Sequence, residues 1–296
     1  MQVYRSLLFI PGNKPKWMAN IDNTEADAII LDLEDSVPND EKANAREHVK
    51  VALEQWGHLE KPALFVRINR SENGMSIFEQ RDIEVAMQPG LSGIVLPKVY
   101  EPQEINQLSD ELTIAEKRKG MESGNTKLLP ILETAKSMYF CYDIAMCERV
   151  IGITGLSSKN GDVERALGTQ WTFEGTETLY MKSKVVMAAR AAGVTPIGGL
   201  WQDVHNLEDL KVSAKKNRQL GFDGELVLHP SNVAIINETY SPSESEIAYY
   251  RGLIDAFHDA KEKGNATVMY EGSHIDYAHV QTAKNILEFS EVLSKS

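Results

Sequence analysis

Charged residues stand directly behind several short apolar runs of this chain. Ile29-Ile30-Leu31 leads into Asp32-Leu33-Glu34-Asp35, Leu64-Phe65-Val66 into Arg67-Ile68-Asn69-Arg70, Val95-Leu96-Pro97 into Lys98, and Ile131-Leu132 into Glu133-Thr134, while Gly161-Asp162 follows a loop rich in Ser, Lys and Asn. If these runs are parallel strands, the charged residues share one edge of the sheet. Three or more carboxylates meeting there repel one another unless a cation or arginines sit among them. The donors are oxygens and no Cys/His cluster accompanies them, so the fitting ion is Mg2+, or Mn2+ as a substitute, with water and substrate filling most of an octahedral shell. Glu133 and Asp162 together are the metal candidates; a single acid behind a strand serves equally well as an N-cap or in a surface ion pair. Arg67 ends an otherwise apolar run, so its guanidinium would reach the same edge and grip a substrate carboxylate with two hydrogen bonds. A structural pair with Glu34 or Asp35 is the competing role, and the two are compatible.

Apolar, β-branched runs alternate with helix-period stretches as far as about residue 230, the pattern of repeated βα units around a parallel sheet. Candidate strands fall at 6–10, 28–33, 63–68, 93–97, 127–132, 150–154, 195–199 and 225–228, with amphipathic segments such as 40–55, 134–147, 176–192 and 206–220 between them. Alternation alone also suits an open doubly wound sheet. Eight units favour a closed (β/α)8 barrel, whose functional groups lie at the C-terminal ends of its strands. Residues 1–240 form the expected barrel domain and 241–296 a C-terminal helical extension, which caps the mouth, reaches a neighbouring subunit or packs on the barrel wall. It opens with a Ser-Pro-Ser turn at 241–243, continues as a charged helical run to about 263, breaks at Gly and Asn, and ends in an amphipathic run at 279–293.

With 42% hydrophobic and 25% charged residues the chain can bury a large core. No window approaches the roughly 18 unbroken apolar residues of a membrane span, and the chain passes straight into a strand-like run without a signal peptide, so a cytoplasmic location is expected. Cys141 and Cys147, six apart, match neither a zinc spacing nor a disulfide framework. The formal net charge of −12 opposes nucleic-acid wrapping, though a local cationic pocket for a phosphorylated ligand stays open. The nucleophile elbow Gly-x-Ser-x-Gly, the Gly-x-Gly-x-x-Gly fingerprint and the Gly-Lys-Ser/Thr phosphate loop are missing, which takes most of the weight from serine-hydrolase, nicotinamide and P-loop readings.

From Arg5 to about Leu293 the chain resembles the citrate lyase beta-subunit family, within the aldolase superfamily that also holds malyl-CoA and citramalyl-CoA lyases. The resemblance rests on Arg5-Ser6-Leu7-Leu8-Phe9-Ile10-Pro11-Gly12-Asn13, Ala28-Ile29-Ile30-Leu31-Asp32-Leu33-Glu34-Asp35-Ser36-Val37, Val66-Arg67-Ile68-Asn69, Glu133-Thr134-Ala135, Asp162 six residues before Gly168, Gly221-Phe222-Asp223-Gly224 with His229-Pro230, and Gly272-Ser273-His274-Ile275-Asp276. It implies a TIM barrel with a C-terminal lid, a trimer or a multiple of one, and reversible Claisen-type cleavage of a 3-hydroxy-acyl thioester to an acetyl-type thioester and a keto acid. It further implies Glu133 and Asp162 as Mg2+ ligands, Arg67 as substrate-binding, and Asp276 as a catalytic residue carried into an adjacent subunit. Glu34, Asp35 and Pro230 fall at the substrate, and Arg5, Lys14 and Lys16 are candidates for the phosphates of coenzyme A, unless they are simply solvated loop residues. Three departures bear on the substrate: Ser157-Ser158-Lys159-Asn160-Gly161 replaces an acidic lead-in to Asp162, Lys182 stands where arginine is common, and Ser231 follows Pro230. Rival functions are a thioesterase or synthase on the same thioesters, a class II pyruvate aldolase without coenzyme A, and a binding subunit served by an acyl carrier protein.

Overall fold

A computed structural model describes residues 4–72, 74 and 76–295. The chain divides into two compact units, the first ending at Glu238 and the second beginning at Thr239. In the first unit, strands and helices alternate: β1 (Ser6–Pro11), α1 (Pro15–Met18), β2 (Ala28–Asp32), α2 (Lys42–Trp56), β3 (Ala63–Arg67), α3 (Gln80–Ala86), β4 (Leu91–Leu96), α4 (Pro102–Lys119) and β5 (Lys127–Pro130). The series continues with α5 (Ala135–Tyr139), α6 (Cys141–Ala145), β6 (Gly152–Thr154), α7 (Asp162–Leu167), α8 (Leu179–Ala192), β7 (Thr195–Gly198), α9 (Leu207–Leu220), β8 (Gly224–Val227) and α10 (Pro230–Tyr240).

All eight strands are parallel, in the order β5-β4-β3-β2-β1-β8-β7-β6. The two ends of that order meet: Leu128 bridges Val150, with Leu128 N–H donating to Arg149 O at 2.8 Å and Ile151 N–H to Leu128 O at 3.1 Å. The result is a nearly closed (β/α)8 barrel, with the α-helices of the βα units among its connections. Arg149 secures the seam from outside, its guanidinium on both oxygens of buried Glu116 at 2.8 and 2.9 Å. Every residue of β2 is buried, as expected of a strand covered on both faces. Helix α2 buries Ala45, Val49, Ala52 and Leu53, spaced to give one apolar stripe.

The expected strands appear with ends displaced by one or two residues. The stretch 134–147 is broken at Phe140 into α5 and α6 instead of forming one helix. Cys141 is buried and Cys147 half-buried, both free thiols pushed up by burial. The second unit contains α11 (Glu244–Glu262), a hairpin of β9 (Val268–Tyr270) and β10 (Ser273–Ile275) that the sequence pattern did not show, and α12 (Tyr277–Lys295). Leu253, Phe257, Ile275, Val280 and Ala283 form its core. No helix among the described residues is long and apolar enough to cross a membrane.

Candidate active site

Register places the first elements of the site. Asp32 and Arg67 are paired neighbours at the ends of β2 and β3, and their side chains meet: Arg67 Nε donates to Asp32 Oδ1 and Nη2 to Oδ2, both at 2.6 Å. Asp32 has no exposed surface. Burial alone would push its carboxyl up, but Arg67 and donors from Ser36 and Glu34 N–H overcome this and hold it below the usual carboxylate range. Arg67 also reaches Glu34 Oε2 at 3.1 Å through Nη1, and its guanidinium lies 4.7 Å over the Phe9 ring. The substrate grip expected of Arg67 is therefore partly spent: its two-point hydrogen bonding goes to Asp32. Of five N–H groups, two have no partner among the described residues.

Lys98, behind β4, knits the rest together. Its ammonium bonds Glu34 Oε1 and sits 2.9 and 3.0 Å from the two oxygens of Asp35, while its backbone N–H donates to Glu133 Oε1 at 2.7 Å. Glu34 is buried and its carboxyl is raised by burial against the pull of Arg67; Asp35 is exposed and lowered, burial being outweighed by donors including Lys98. Under this layer Lys42 Nζ binds Leu33 O at 2.9 Å, Glu34 O at 3.1 Å and Asn69 Oδ1 at 2.6 Å, fixing the turn that presents Glu34. Gly12 closes the neighbouring loop by donating its N–H to Asp32 O at 2.7 Å; a Cβ there would stand 2.7 Å from the same oxygen.

Glu133 is set by the next turn, where Thr134 caps α5 in a reciprocal box with Ser137. It is 8% exposed and forms no ion pair with a described side chain; burial first, with the charges of Glu34 and Asp162 adding and the Lys98 N–H and the charge of Arg67 opposing, pushes it up to about 7. Asp162 opens α7, half-buried, with Arg165 Nη2 at 2.5 Å from Oδ1. The convergence of three or more carboxylates on a metal is not what the strand ends show. Arg67 and Lys98 neutralise the acids behind β2, and no group of three or more His, Cys, Asp or Glu positioned for a metal occurs among the described residues. Two oxygen donors are left, Glu133 and Asp162.

The remaining candidates are dispersed. Lys14 and Lys16 are exposed at and beside the start of α1, behind β1. Arg5 does not join them: it precedes β1, at the N-terminal ends of the strands, and pairs with Asp27 at 2.8 Å through Nε and Nη2. A mouth-side ligand is out of its reach, so Arg5 is withdrawn as a coenzyme A contact. Pro230 begins α10 directly behind β8, beside His229, whose Nδ1 is 2.7 Å from Ser231 Oγ. Asp276 belongs to the second unit, half exposed ahead of α12, its Oδ1 accepting from Ala278 N–H and lying 2.6 Å from His279 Nδ1. Sequence reasoning missed Asp32 and Lys98 as organising residues, although both stand behind apolar runs.

A parallel (β/α)8 barrel with an ion-pair network at the C-terminal strand ends is the architecture of barrels that bind and transform ligands through their βα loops. The chain belongs to the HpcH/HpaI aldolase/citrate lyase family, whose model matches residues 5–230. It is 32% identical to the citrate lyase subunit beta of Leuconostoc mesenteroides subsp. cremoris over 97% of this chain and 93% of that protein. It is 28% identical to a (3S)-malyl-CoA thioesterase of Cereibacter sphaeroides over 98% and 96%. Its fold matches, with a TM-score of 0.78 and 22% identity over 98% of this chain and 100% of the other, a Mycobacterium tuberculosis CitE crystallised with magnesium, acetoacetate and coenzyme A.

Proposed function

We propose that this protein is a Mg2+-dependent carbon-carbon lyase that cleaves or forms a 3-hydroxy-acyl thioester of coenzyme A, giving an acetyl-type thioester and a keto acid. The observation that carries the reading is Glu133: a buried carboxylate with one backbone donor, no ion-pair partner among the described residues, and the charges of Glu34 and Asp162 raising it against the more distant pull of Arg67. Such a group is short of positive charge, and two carboxylates suit Mg2+, which retains most of its water or exchanges it for substrate oxygens. When bound, the ion supplies Lewis-acid polarisation of the substrate's hydroxyl and carboxylate oxygens.

The chain's own residues do the rest. Arg67, held rigid by Asp32 and Glu34, offers its two remaining N–H groups to the substrate carboxylate and its charge to the developing enolate. Lys98 and Asp35 border the same space. Asp276, brought by the C-terminal unit of an adjacent subunit in a trimer or a multiple of one, takes the hydroxyl proton; the carbon-carbon bond breaks, the electron pair passes to the thioester enolate, and reprotonation yields the acetyl-type thioester. Its carboxyl is held below the ordinary range, chiefly by the hydrogen bond to His279, so it is ionised at neutral pH and becomes a stronger base once that contact is exchanged for the substrate hydroxyl. Lys14 and Lys16 are the basic residues proposed for the coenzyme A phosphates, and Pro230 borders the acyl group.

Hydrolysis of the same thioester is the second reading, favoured by the malyl-CoA thioesterase among the relatives. One assay separates them: malyl-, citramalyl- and citryl-CoA with Mg2+, products read by mass spectrometry. Acetyl-CoA plus keto acid, lost on chelation, supports the lyase. Free coenzyme A plus intact hydroxy acid supports the thioesterase, and turnover of pyruvate with an aldehyde in the absence of coenzyme A would replace both with an aldolase.

A further inference from the structure

The loop before α8 folds over a crevice between α8 and α9 that the proposed reaction does not use. Two adjoining hollows of about 280 and 390 Å3 share Trp171, Phe173 and Trp201 on their walls. Two of these rings, Phe173 and Trp201, are held in place. Trp201 Nε1 donates to Asp203 O at 2.7 Å, Trp201 and Phe173 pack edge to face at 6.2 Å, and Lys216 Nζ binds Phe173 O at 3.1 Å while lying 4.5 Å over its ring. With its indole N–H spent on the backbone, Trp201 has only ring surface left for a visitor.

At the wall of the smaller hollow stands Lys182. Its ammonium donates to Asn217 Oδ1 at 3.0 Å, and Asn217 Nδ2 donates in turn to buried Glu225 Oε1 at 2.7 Å, which fixes which end of the amide faces the lysine. Lys182 is a three-donor group with one acceptor among the described residues. Burial lowers its tendency to hold a proton; the charges of Glu225, which lies behind the amide, and of Glu177 oppose this, and Glu174 is the one acid on the wall of this hollow among the described residues. A cation with unspent donors on the wall of an aromatic hollow is the complement of a ligand that pairs a flat ring with negative charge. Lys216 adds a second positive charge on the same wall.

We propose that this crevice binds a small planar anion, an aromatic or heteroaromatic ring carrying one carboxylate or phosphate group, with the ring against Trp171, Phe173 and Trp201 and the anionic group on Lys182. The hollows are in the size range of small-molecule sites. Aromatic carboxylates and nucleoside monophosphates share this chemistry, and the experiment distinguishes them.

The full-length protein is titrated with benzoate and with adenosine 5′-monophosphate, each against its neutral counterpart, benzamide and adenosine, by calorimetry and tryptophan fluorescence. At least one anion is expected to bind and quench tryptophan emission, with its neutral counterpart at least tenfold weaker; the better anion names the source. Lys182→Met should weaken that anion at least tenfold and Lys182→Arg should restore most of the loss. No binding of either anion at millimolar concentration, equal binding of the neutral compound, or binding unchanged in Lys182→Met overturns the proposal. Should Lys182→Met fail to fold, the anion-versus-neutral comparison on the unaltered protein, together with loss of quenching in Trp201→Leu, decides it.

Discussion

Glu133→Gln tests the metal reading without any substrate. The folded chain raises this carboxyl from 4.5 to about 7, and at roughly 1.4 kcal/mol per tenfold change, ionising it in the metal-free protein costs about 3 kcal/mol. The raised value fixes the sign. Below the unfolded value both states are protonated and nothing is lost; between 4.5 and about 7 folding takes up a proton, so stability falls as pH rises; above about 7 the whole cost is present. Glutamine is neutral throughout and its carbonyl can still accept the Lys98 N–H. In metal-free buffer near pH 8.5 the variant should therefore be more stable than the parent by about 3 kcal/mol, or roughly 6–10 °C in midpoint for a domain of this size. Near pH 5 the difference should shrink below about 1 kcal/mol. Adding Mg2+ should restore the parent by about 2.7 kcal/mol at one hundred times its Kd and leave the variant unmoved. Calorimetric scans at the two pH values, with and without Mg2+, read all of this. A variant no more stable than the parent near pH 8.5, or equal Mg2+ stabilisation of both, would refute the reasoning.

Asp276→Asn should abolish thioester turnover while leaving Mg2+ and coenzyme A binding intact by calorimetry; an active variant removes Asp276 from the base role. Asp32→Ala should cost about 3–5 kcal/mol in denaturant unfolding, because it strands the Arg67 guanidinium without its bidentate partner; a loss under about 1 kcal/mol would show that Glu34 suffices. Arg67→Lys keeps the charge but not the planar fork, so kcat/KM should fall at least tenfold with Mg2+ affinity little changed, and unaltered kinetics would take Arg67 off the substrate. Lys14 and Lys16 changed together to Gln should raise KM for coenzyme A thioesters with kcat held, whereas Arg5→Gln, at the other end of the barrel, should leave KM unaffected.

Eight strands could be counted from the sequence because a strand buried on both faces must be apolar along its length, as β2 is. The charged residues behind several of the runs pointed to the C-terminal ends of the strands for the same reason: a polar group is tolerated where a covered strand emerges. Glu133 and Arg67 stood out as candidates in this way, whereas Asp162, in a loop eight residues beyond β6, did not. Which charges pair was not, because pairing depends on register between strands. Only tertiary structure aligned Asp32 with Arg67 and carried Lys98 across to Glu34 and Asp35, turning an apparent carboxylate cluster into a neutralised network with Glu133 left over. Arg5 shows the converse. One-dimensional closeness to Lys14 and Lys16 suggested a shared ligand, but β1 runs between them, and a strand separates its two ends by the full depth of the sheet. Period and composition are local properties that the chain carries in its order of residues; the partner of a buried charge is chosen by geometry across the barrel, where desolvation makes every unmatched charge costly.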